Sequence, residues 1–460
     1  MNGNKKNVSN DNFLKIICNF SATSKNPRFL QQISNHEPSC HMKTPMKFLA
    51  CLLTAASLWS CSDEAKWEGK IPDVTPLVKT SEISLSRGEE NAVDMLADLS
   101  FAMNAIAQER SREVFGATTG NNQFSPVSTL VSLAMIVNGI DAPAADEVAA
   151  QLGFGDVNSL NQFVNKLLRY LPGASEYATV AFANAVWMHS AYAPSQAYAD
   201  VLQKTFAAPV ASLDFTERST INMINAWCNS NTGGLIPSIV DYLSIDIPVE
   251  ATNALYFDSR WFGRFNKENT MTQPFYGVDK TSDVAMMHKD EYAFASDDDA
   301  RMTSLGFEGR YTFDVVVANE GSNWSPASIT KEQYTALVNS LDYQSYVVKL
   351  ALPRFKTETT ADLTDVFDAM RIPSADFTMT SAGLPETIIF DKFAVKQKSS
   401  LEIDEDGAKA AVVTVTGPLV SSTEPKPRTE VEMTVNRPFF FALRDTKFNT
   451  ILLMGCVNNL

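Results

Sequence analysis

The residues with the clearest chemical promise run from Ile403 to Thr434, and their chemistry is that of a substrate rather than a catalyst. Ile403-Asp404-Glu405-Asp406-Gly407 leaves a strand through an acidic turn. In a strand of period two, Ala408, Ala410, Val412, Thr414 and Thr416 share one face, while Lys409, Ala411, Val413 and Val415 share the other. The first face is small or β-branched and uncharged, so it is fit for burial inside a sheet. From Gly417-Pro418 to Thr429 the chain is rich in Ser, Thr and Pro, which predicts an exposed tip that a protease can reach. A strand-competent stretch running into an accessible tip suits a segment with two states, although an ordinary connecting loop has the same composition.

Other chemistries find little support. His36, His41, His189 and His288 are the histidines, and none has ligand or triad spacing. The cysteines are Cys18, Cys40, Cys51, Cys61, Cys228 and Cys456, with no CxxC pair for zinc or redox work. Cys228 and Cys456 read as buried thiols. The chain lacks a GxSxG elbow, a P-loop and an HExxH pair. No enzyme, cofactor or metal is therefore expected. A formal net charge of -15 argues against a general nucleic-acid partner, which requires a basic face. Of 460 residues 45% are hydrophobic and 20% charged, ordinary for a large globular core.

The N-terminal region carries an export signal. Lys43 and Lys47 precede the apolar run Phe48 to Trp59, too short to span a bilayer of about 30 Å. Leu58-Trp59-Ser60-Cys61 resembles the bacterial lipobox, which implies acylation of Cys61 and a mature start there. Ser62-Asp63-Glu64 looks like the acidic stretch that Bacteroidetes lipoproteins use for surface display. A plain secretory signal is the simpler alternative. Residues 42–60 are thus expected to be a signal peptide and residues 61–85, polar with Pro72 and Pro76, a tether. The expected location is the outer membrane, at the cell surface or extracellular. Residues 1–41 do not fit a signal peptide: either Met42 or Met46 is the true start and they are a non-native or mis-called extension, or the chain carries an extra tail.

The body must position the loop. Helical apolar spacing marks Val93 to Arg112, Thr129 to Asn138 is apolar all round, and Ala142 to Gly153 closes on a glycine. Strand patterns mark Thr179 to His189, Glu250 to Phe257, Tyr311 to Ala318 and Tyr346 to Pro353. Thr387 to Ile403, Glu430 to Val435, Phe439 to Arg444 and Thr450 to Val457 follow. Helices lead and strands follow, an α+β arrangement.

The flanking blocks resemble the serpin family, in the form of Bacteroidetes lipoproteins. Met433-Thr-Val-Asn-Arg-Pro-Phe-Phe-Phe-Ala-Leu443 looks like its C-terminal signature, and Ile451-Leu-Leu-Met-Gly-Cys-Val-Asn458 like its closing strand. Phe124-Ser-Pro-Val-Ser128, Ile224-Asn-Ala-Trp227, Asn253-Ala-Leu-Tyr-Phe257 with Trp261 and Phe265, and Leu350-Ala-Leu-Pro-Arg-Phe355 match further blocks. The resemblance covers residues 86–460 in order. It implies a fold of about nine helices and three β-sheets, with the reactive loop at about 407–434. It also implies a monomeric inhibitor whose partner is a serine protease. That protease cuts the loop and is trapped as an acyl-enzyme when the loop inserts into the largest sheet as an added strand.

Residue roles follow from the resemblance. Gly407 matches the hinge glycine and Glu405 the acidic residue before it. Ala408, Ala410, Val412 and Thr414 match the side chains that turn inward. Members that inhibit usually carry Thr or Ser at the position of Ala408, and Ala at Val412 and Val413. Ser125, Ser128 and Asn253 match a shutter that latches the sheet, with Gln397 where the family usually has histidine. Trp261 and Arg354 match the breach at the top of the sheet, where Arg354 is expected to pair with Glu405. Counting about 14 residues on from Gly407, a reach of roughly 46 Å as a strand, puts the reactive bond at Ser421-Ser422. Leu419-Val420-Ser421 suits an elastase-like or subtilisin-like pocket. Counting back from Pro438 reaches Pro427 instead, so the loop is expected to be long, and Arg428-Thr429 is the rival bond for a trypsin-like enzyme. A non-inhibitory member with a binding or structural role stays open; charged or proline residues on the inward face would favour it, and none occurs from Ala408 to Thr416.

Overall fold

The computed structural model describes residues 71–460 apart from 116–119, 235, 363–366, 368–371, 374, 392–395 and 409–426. The proposed extension, the signal segment and Cys61 lie outside the described residues, as do Ala410, Val412, Thr414, Ser421 and Ser422.

The first half is mainly helical. It runs α1 (Arg87–Phe115), β1 (Asn122–Phe124), α2 (Pro126–Val137), α3 (Ala144–Gln151), α4 (Val157–Tyr170), β2 (Ala178–His189), α5 (Gln196–Phe206), β3 (Val210–Leu213) and α6 (Arg218–Asn231). Strands then take over: β4 (Val249–Arg260), β5 (Met271–Tyr276), β6 (Thr281–Glu291), β7 (Ala295–Ser296), β8 (Ala300–Gly306) and β9 (Tyr311–Ala318). After α7 (Lys331–Asn339) come β10 (Tyr346–Pro353), β11 (Phe355–Asp362), β12 (Lys396–Ile403), β13 (Gly407–Ala408), β14 (Thr429–Thr434), β15 (Phe439–Asp445) and β16 (Ile451–Val457). The arrangement is α+β. The described residues form seven α-helices rather than about nine, and the strands make three sheets.

The sheet that matters for the loop has the order β11-β12-β13-β4-β2-β3. Beneath it lies α2, whose twelve residues are all buried, as its unbroken apolar sequence predicts. Ser125 caps this helix by accepting the Ser128 N–H at 3.1 Å, and Pro126 supplies the φ that a first helical residue needs. The helix packs against β4 and β16, joining the central sheet to the sheet β1-β16-β15-β9-β8-β7. That second sheet has an ion pair in its core. Arg444 Nε lies 2.7 Å from Asp314 Oδ2, and Tyr334 and Ser304 donate to the same carboxylate.

Two expectations shift. Thr387 to Ile403 is not one strand: β12 begins at Lys396, while Phe377 and Phe390 pair across an isolated bridge with stacked rings 5.3 Å apart. Residues 71–85 of the expected tether lie along the body. Ile71 is buried in an apolar cluster with Trp187 and Trp227, the Thr80 N–H donates to Arg169 O at 3.0 Å, and Glu82 pairs with Arg310 and Lys447. The apolar residues Ile71, Leu77, Ile83 and Leu85 serve as pegs.

Candidate functional site

The turn that launches the loop is fixed from four sides. Asp404 Oδ1 accepts the N–H groups of Asp406 and Gly407 at 2.8 and 3.1 Å, an arrangement that suits a short acidic turn. Trp261, stacked on Phe307 with centroids 4.3 Å apart, donates its ring N–H to Asp404 O at 2.8 Å and its backbone N–H to Asp406 O. The Phe265 N–H reaches Glu405 O at 3.1 Å. Asp406 faces Lys267 at 2.7 Å and Arg264 at 3.5 Å, and Lys267 holds its carboxyl below the usual range. At Gly407 φ is +153°, and a Cβ there would meet Ser259 O at 2.2 Å. Only glycine lets the chain pass this close to β4.

Glu405 and Arg354 lie in contact. The guanidinium grips the carboxylate through Nη2 at 2.5 Å and Nε at 3.1 Å, and Thr270 donates to Oε1 at 2.7 Å. Glu405 is 2% exposed. Burial pushes its carboxyl upward, but the donors Arg354 and Thr270 outweigh that, and it stays ionised below its ordinary range.

Gly407 and Ala408 form a strand of two residues inside the central sheet. On one side they pair antiparallel with Arg260 and Ser259 of β4; on the other Ala408 pairs with Ile403 of β12. Among the described residues no ladder joins β12 to β4 directly. Below Ala408 the two strands border a cleft of about 200 Å3, lined by Leu255, Phe257, Gln397, Ser399 and Leu401 with Ser125 and Ser128 beneath. Because β12 and β4 run parallel, a chain continuing from Ala408 would be antiparallel to both, the better hydrogen-bonding arrangement.

Of the shutter residues, Ser125, Ser128 and Gln397 line this cleft. Gln397 Oε1 accepts the Ser125 N–H at 2.7 Å, and Nε2 donates to Ser125 O at 2.8 Å and Thr129 Oγ1 at 3.2 Å. Asn253 turns the other way and donates to Asn184 Oδ1 on β2. Gln397 thus ties β12 to α2, Asn253 ties β4 to β2, and no described hydrogen bond joins the two amides. Both Nε2 hydrogens of Gln397 are used, one on Ser125 O and one on Thr129 Oγ1, which turns its amide toward α2. Ser128 Oγ and Asn253 Oδ1 are buried without a partner among the described residues.

At the far base of the loop, β14 pairs with β10 from Thr429 opposite Tyr346. The Thr429 N–H donates to Ser345 O at 2.8 Å, while Arg428 donates to Gln344 O and lies 4.6 Å from the Tyr292 ring centroid. The rival bond Arg428-Thr429 is therefore pinned to the body on both sides. Sequence reasoning missed Thr270, which follows a short irregular turn and carries no pattern. It also missed Asn184, which it could have found as the one amide in the buried run Ala183 to Met188. Among the described residues no group of His, Cys, Asp and Glu is placed to hold a metal ion.

Comparison with known proteins agrees with this geometry. The family profile described as Serpin (serine protease inhibitor) matches residues 97–460. A serpin-like protein of Thermococcus kodakarensis is 28% identical over 377 residues, covering 78% of this chain and 85% of its own. The structure of the thermophilic serpin tengpin in its native state superimposes with a TM-score of 0.68 at 22% identity, covering 84% of this chain and 98% of its own. Human thyroxine-binding globulin in complex with thyroxine gives a TM-score of 0.69 at 19% identity, covering 81% and 99%. The chain belongs to the serpin family, whose members are in general protease inhibitors rather than enzymes.

Proposed function

We propose that this serpin inhibits a serine protease by suicide trapping, with cleavage at Ser421-Ser422. The observation that carries the reading is the placement of Gly407 and Ala408 between β12 and β4, at the head of a cleft that the next residues could extend into. In the first step the protease serine attacks the Ser421 carbonyl, the peptide bond breaks, and the Ser422 amine leaves with a proton from the protease. Ser421 is then held as an ester, and the segment behind it is free to continue β13 down the sheet, drawing the protease along. The inward residues Ala408, Ala410, Val412 and Thr414 bring no charge into that site. Leu419, Val420 and Ser421 suit an elastase-like or subtilisin-like enzyme, and the pinned state of Arg428 disfavours a trypsin-like one.

We place the protein, as a monomer, on the outer membrane through acylated Cys61. The experiment is incubation with a panel of serine proteases, followed by denaturing electrophoresis and sequencing of the released C-terminal fragment. An SDS-stable complex and a fragment beginning at Ser422 are expected. Cleavage with no complex would instead make this a non-inhibitory member with a binding or structural role.

A further inference from the structure

Where β9 ends and β15 begins, three stretches of chain enclose a cavity of about 590 Å3. Ala318, Trp324 and Pro326 come from the end of β9 and the turn after it, Arg437 and Pro438 from the link between β14 and β15, and Val278 from the turn between β5 and β6. None of them lines the cleft beside β13. The walls are fixed by hydrogen bonds of their own. The Asn319 N–H donates to Asp299 O at 2.9 Å, and its Nδ2 to Asp297 O at 2.8 Å. The Trp324 N–H donates to Ser322 Oγ at 3.0 Å and its ring N–H to Gln333 Oε1 at 3.0 Å, which sets the plane of the indole. On the opposite wall the Val278 N–H donates to Asn458 O at 2.9 Å.

Arg437 is the group whose chemistry is unused. Nη2 donates to Ala318 O at 2.5 Å, and Nη1 reaches Asn436 Oδ1 at 3.3 Å and Thr434 O at 3.5 Å. These acceptors are all neutral, and among the described residues Nε has no acceptor and the guanidinium no carboxylate partner. Burial and the neighbouring Arg301 push its pKa below the ordinary arginine value, and Glu320 offsets this only in part. Arg301 itself donates to Asn319 Oδ1 at 3.0 Å and Glu432 O at 3.1 Å, so it adds a cation without adding a counter-charge. A half-buried guanidinium held by neutral acceptors favours an incoming anion. Its planar fork meets a carboxylate through two parallel bonds, and Nε with a second Nη2 hydrogen supplies the donors.

The remaining lining narrows the class of ligand. Trp324, Pro326, Pro438, Ala318 and Val278 are apolar, and Val278 is 48% exposed. Exposed Glu320 also lines the cavity and repels a second negative charge. A dianion is therefore matched poorly, and a monoanion with an apolar body well. The volume falls in the range of about 300–1,000 Å3 usual for small-molecule sites. We propose that this cavity binds small amphipathic monocarboxylic acids, with the carboxylate on Arg437 and the apolar body against Trp324, Pro326 and Val278.

The test is isothermal titration of the folded protein with 3-phenylpropionate and indole-3-propionate, each beside its primary amide. At least one acid should bind saturably at a single site, with its amide at least about tenfold weaker for want of the charge-assisted bonds. Arg437→Gln should weaken that acid by about tenfold or more and leave the amide nearly unchanged. Val278→Trp, which fills the cavity and keeps the guanidinium, should weaken acid and amide alike. Glu320→Gln should tighten the acid by about two- to threefold. Thermal midpoints report whether each variant folds; should Arg437→Gln fail to fold, Val278→Trp and Glu320→Gln decide the matter. No saturable binding of either acid up to about 10 mM would overturn the site. So would equal affinity for acid and amide, or a folded Arg437→Gln protein that binds the acid as wild type does. No protease enters the experiment, so its result is independent of the insertion reading.

Discussion

The Glu405–Arg354 pair is the clearest place to perturb the uncleaved state. Glu405 is 2% exposed and the Arg354 side chain 49%, so the pair is buried at one end only. Exposed pairs contribute about 0–1 kcal/mol, whereas breaking a buried pair costs about 3–5 kcal/mol. Since solvent screens the guanidinium, we expect Arg354→Ala to cost about 2 kcal/mol, with Thr270 left as a side-chain donor to the carboxylate. That is roughly a thirtyfold rise in the fraction of molecules whose hinge turn is released. Glu405→Lys should be more severe, because it places a second cation beside Arg354. Released hinges can exchange between molecules, so both variants should polymerise on mild heating. The assay is size exclusion with light scattering after timed incubation, alongside inhibitory titration. The folded carboxyl lies below its ordinary value of 4.5, so the pair stabilises fully above that pH and its contribution is lost as pH falls through the depressed value. The gap between wild type and Arg354→Ala should therefore be present at pH 7 and shrink in acid below about 4.5. A Glu405→Lys protein that stays monomeric on heating, with unchanged inhibition, would remove any latch role from the pair.

Other expected outcomes are briefer. Mass spectrometry of the N-terminal peptide from the native host should find acylated Cys61; an unmodified cysteine, or a start upstream, defeats the anchor. Thr414→Arg should fold normally, be cut near Ser421 and release active protease, because insertion would bury an unpaired charge at several kcal/mol. Val413→Arg, on the opposite face, should be far milder in the same titration, and equal failure of both would contradict alternating insertion. Asp314→Ala should lower the urea midpoint by an amount equal to about 3–5 kcal/mol, since it strands the buried Arg444. Arg310 and Lys447 depress the Glu82 carboxyl to about 2, so its contribution holds above 4.5 and fades as pH falls toward 2. Protection of the amides of residues 77–85, taken relative to the intrinsic exchange rate at each pH, should fall through that window and stay high at pH 7.

What the sequence made legible was whatever depends on local pattern. β10 occupies Tyr346–Pro353 as its alternation predicts, and α2 is buried on all sides as its apolar run predicts. The run Thr387 to Ile403 misled because composition there satisfies a strand. Ile389 is in fact 65% exposed, and the chain turns at Glu386 and Thr387. Residues 71–85 misled in the other direction. Their apolar pegs, Ile71, Leu77, Ile83 and Leu85, are sparse among polar residues, so a polar average hid a docked segment. The rotation of the amides at Asn253 and Gln397 left no trace in the sequence at all, because either side chain could serve partners on both sides.

The site divides its work between charge above and polarity below. Above Gly407, every carboxylate of the acidic turn is answered: Asp404 by two backbone N–H groups, Glu405 by Arg354 and Thr270, Asp406 by Lys267 and Arg264. Those bonds fix the direction in which Ala408 leaves the turn, and that direction is into the sheet. Below Ala408 the polar groups are not all answered, and the cleft remains between strands that no ladder closes among the described residues. A fully satisfied shutter would resist entry of a new strand, since each of its bonds would have to break first. A loose turn would let the hinge wander and would lose the register that sets each inward residue against its neighbour. On the proposed insertion reading, the combination of a saturated turn and an unsaturated cleft would aim the loop and leave the uncleaved sheet with bonds still to be made.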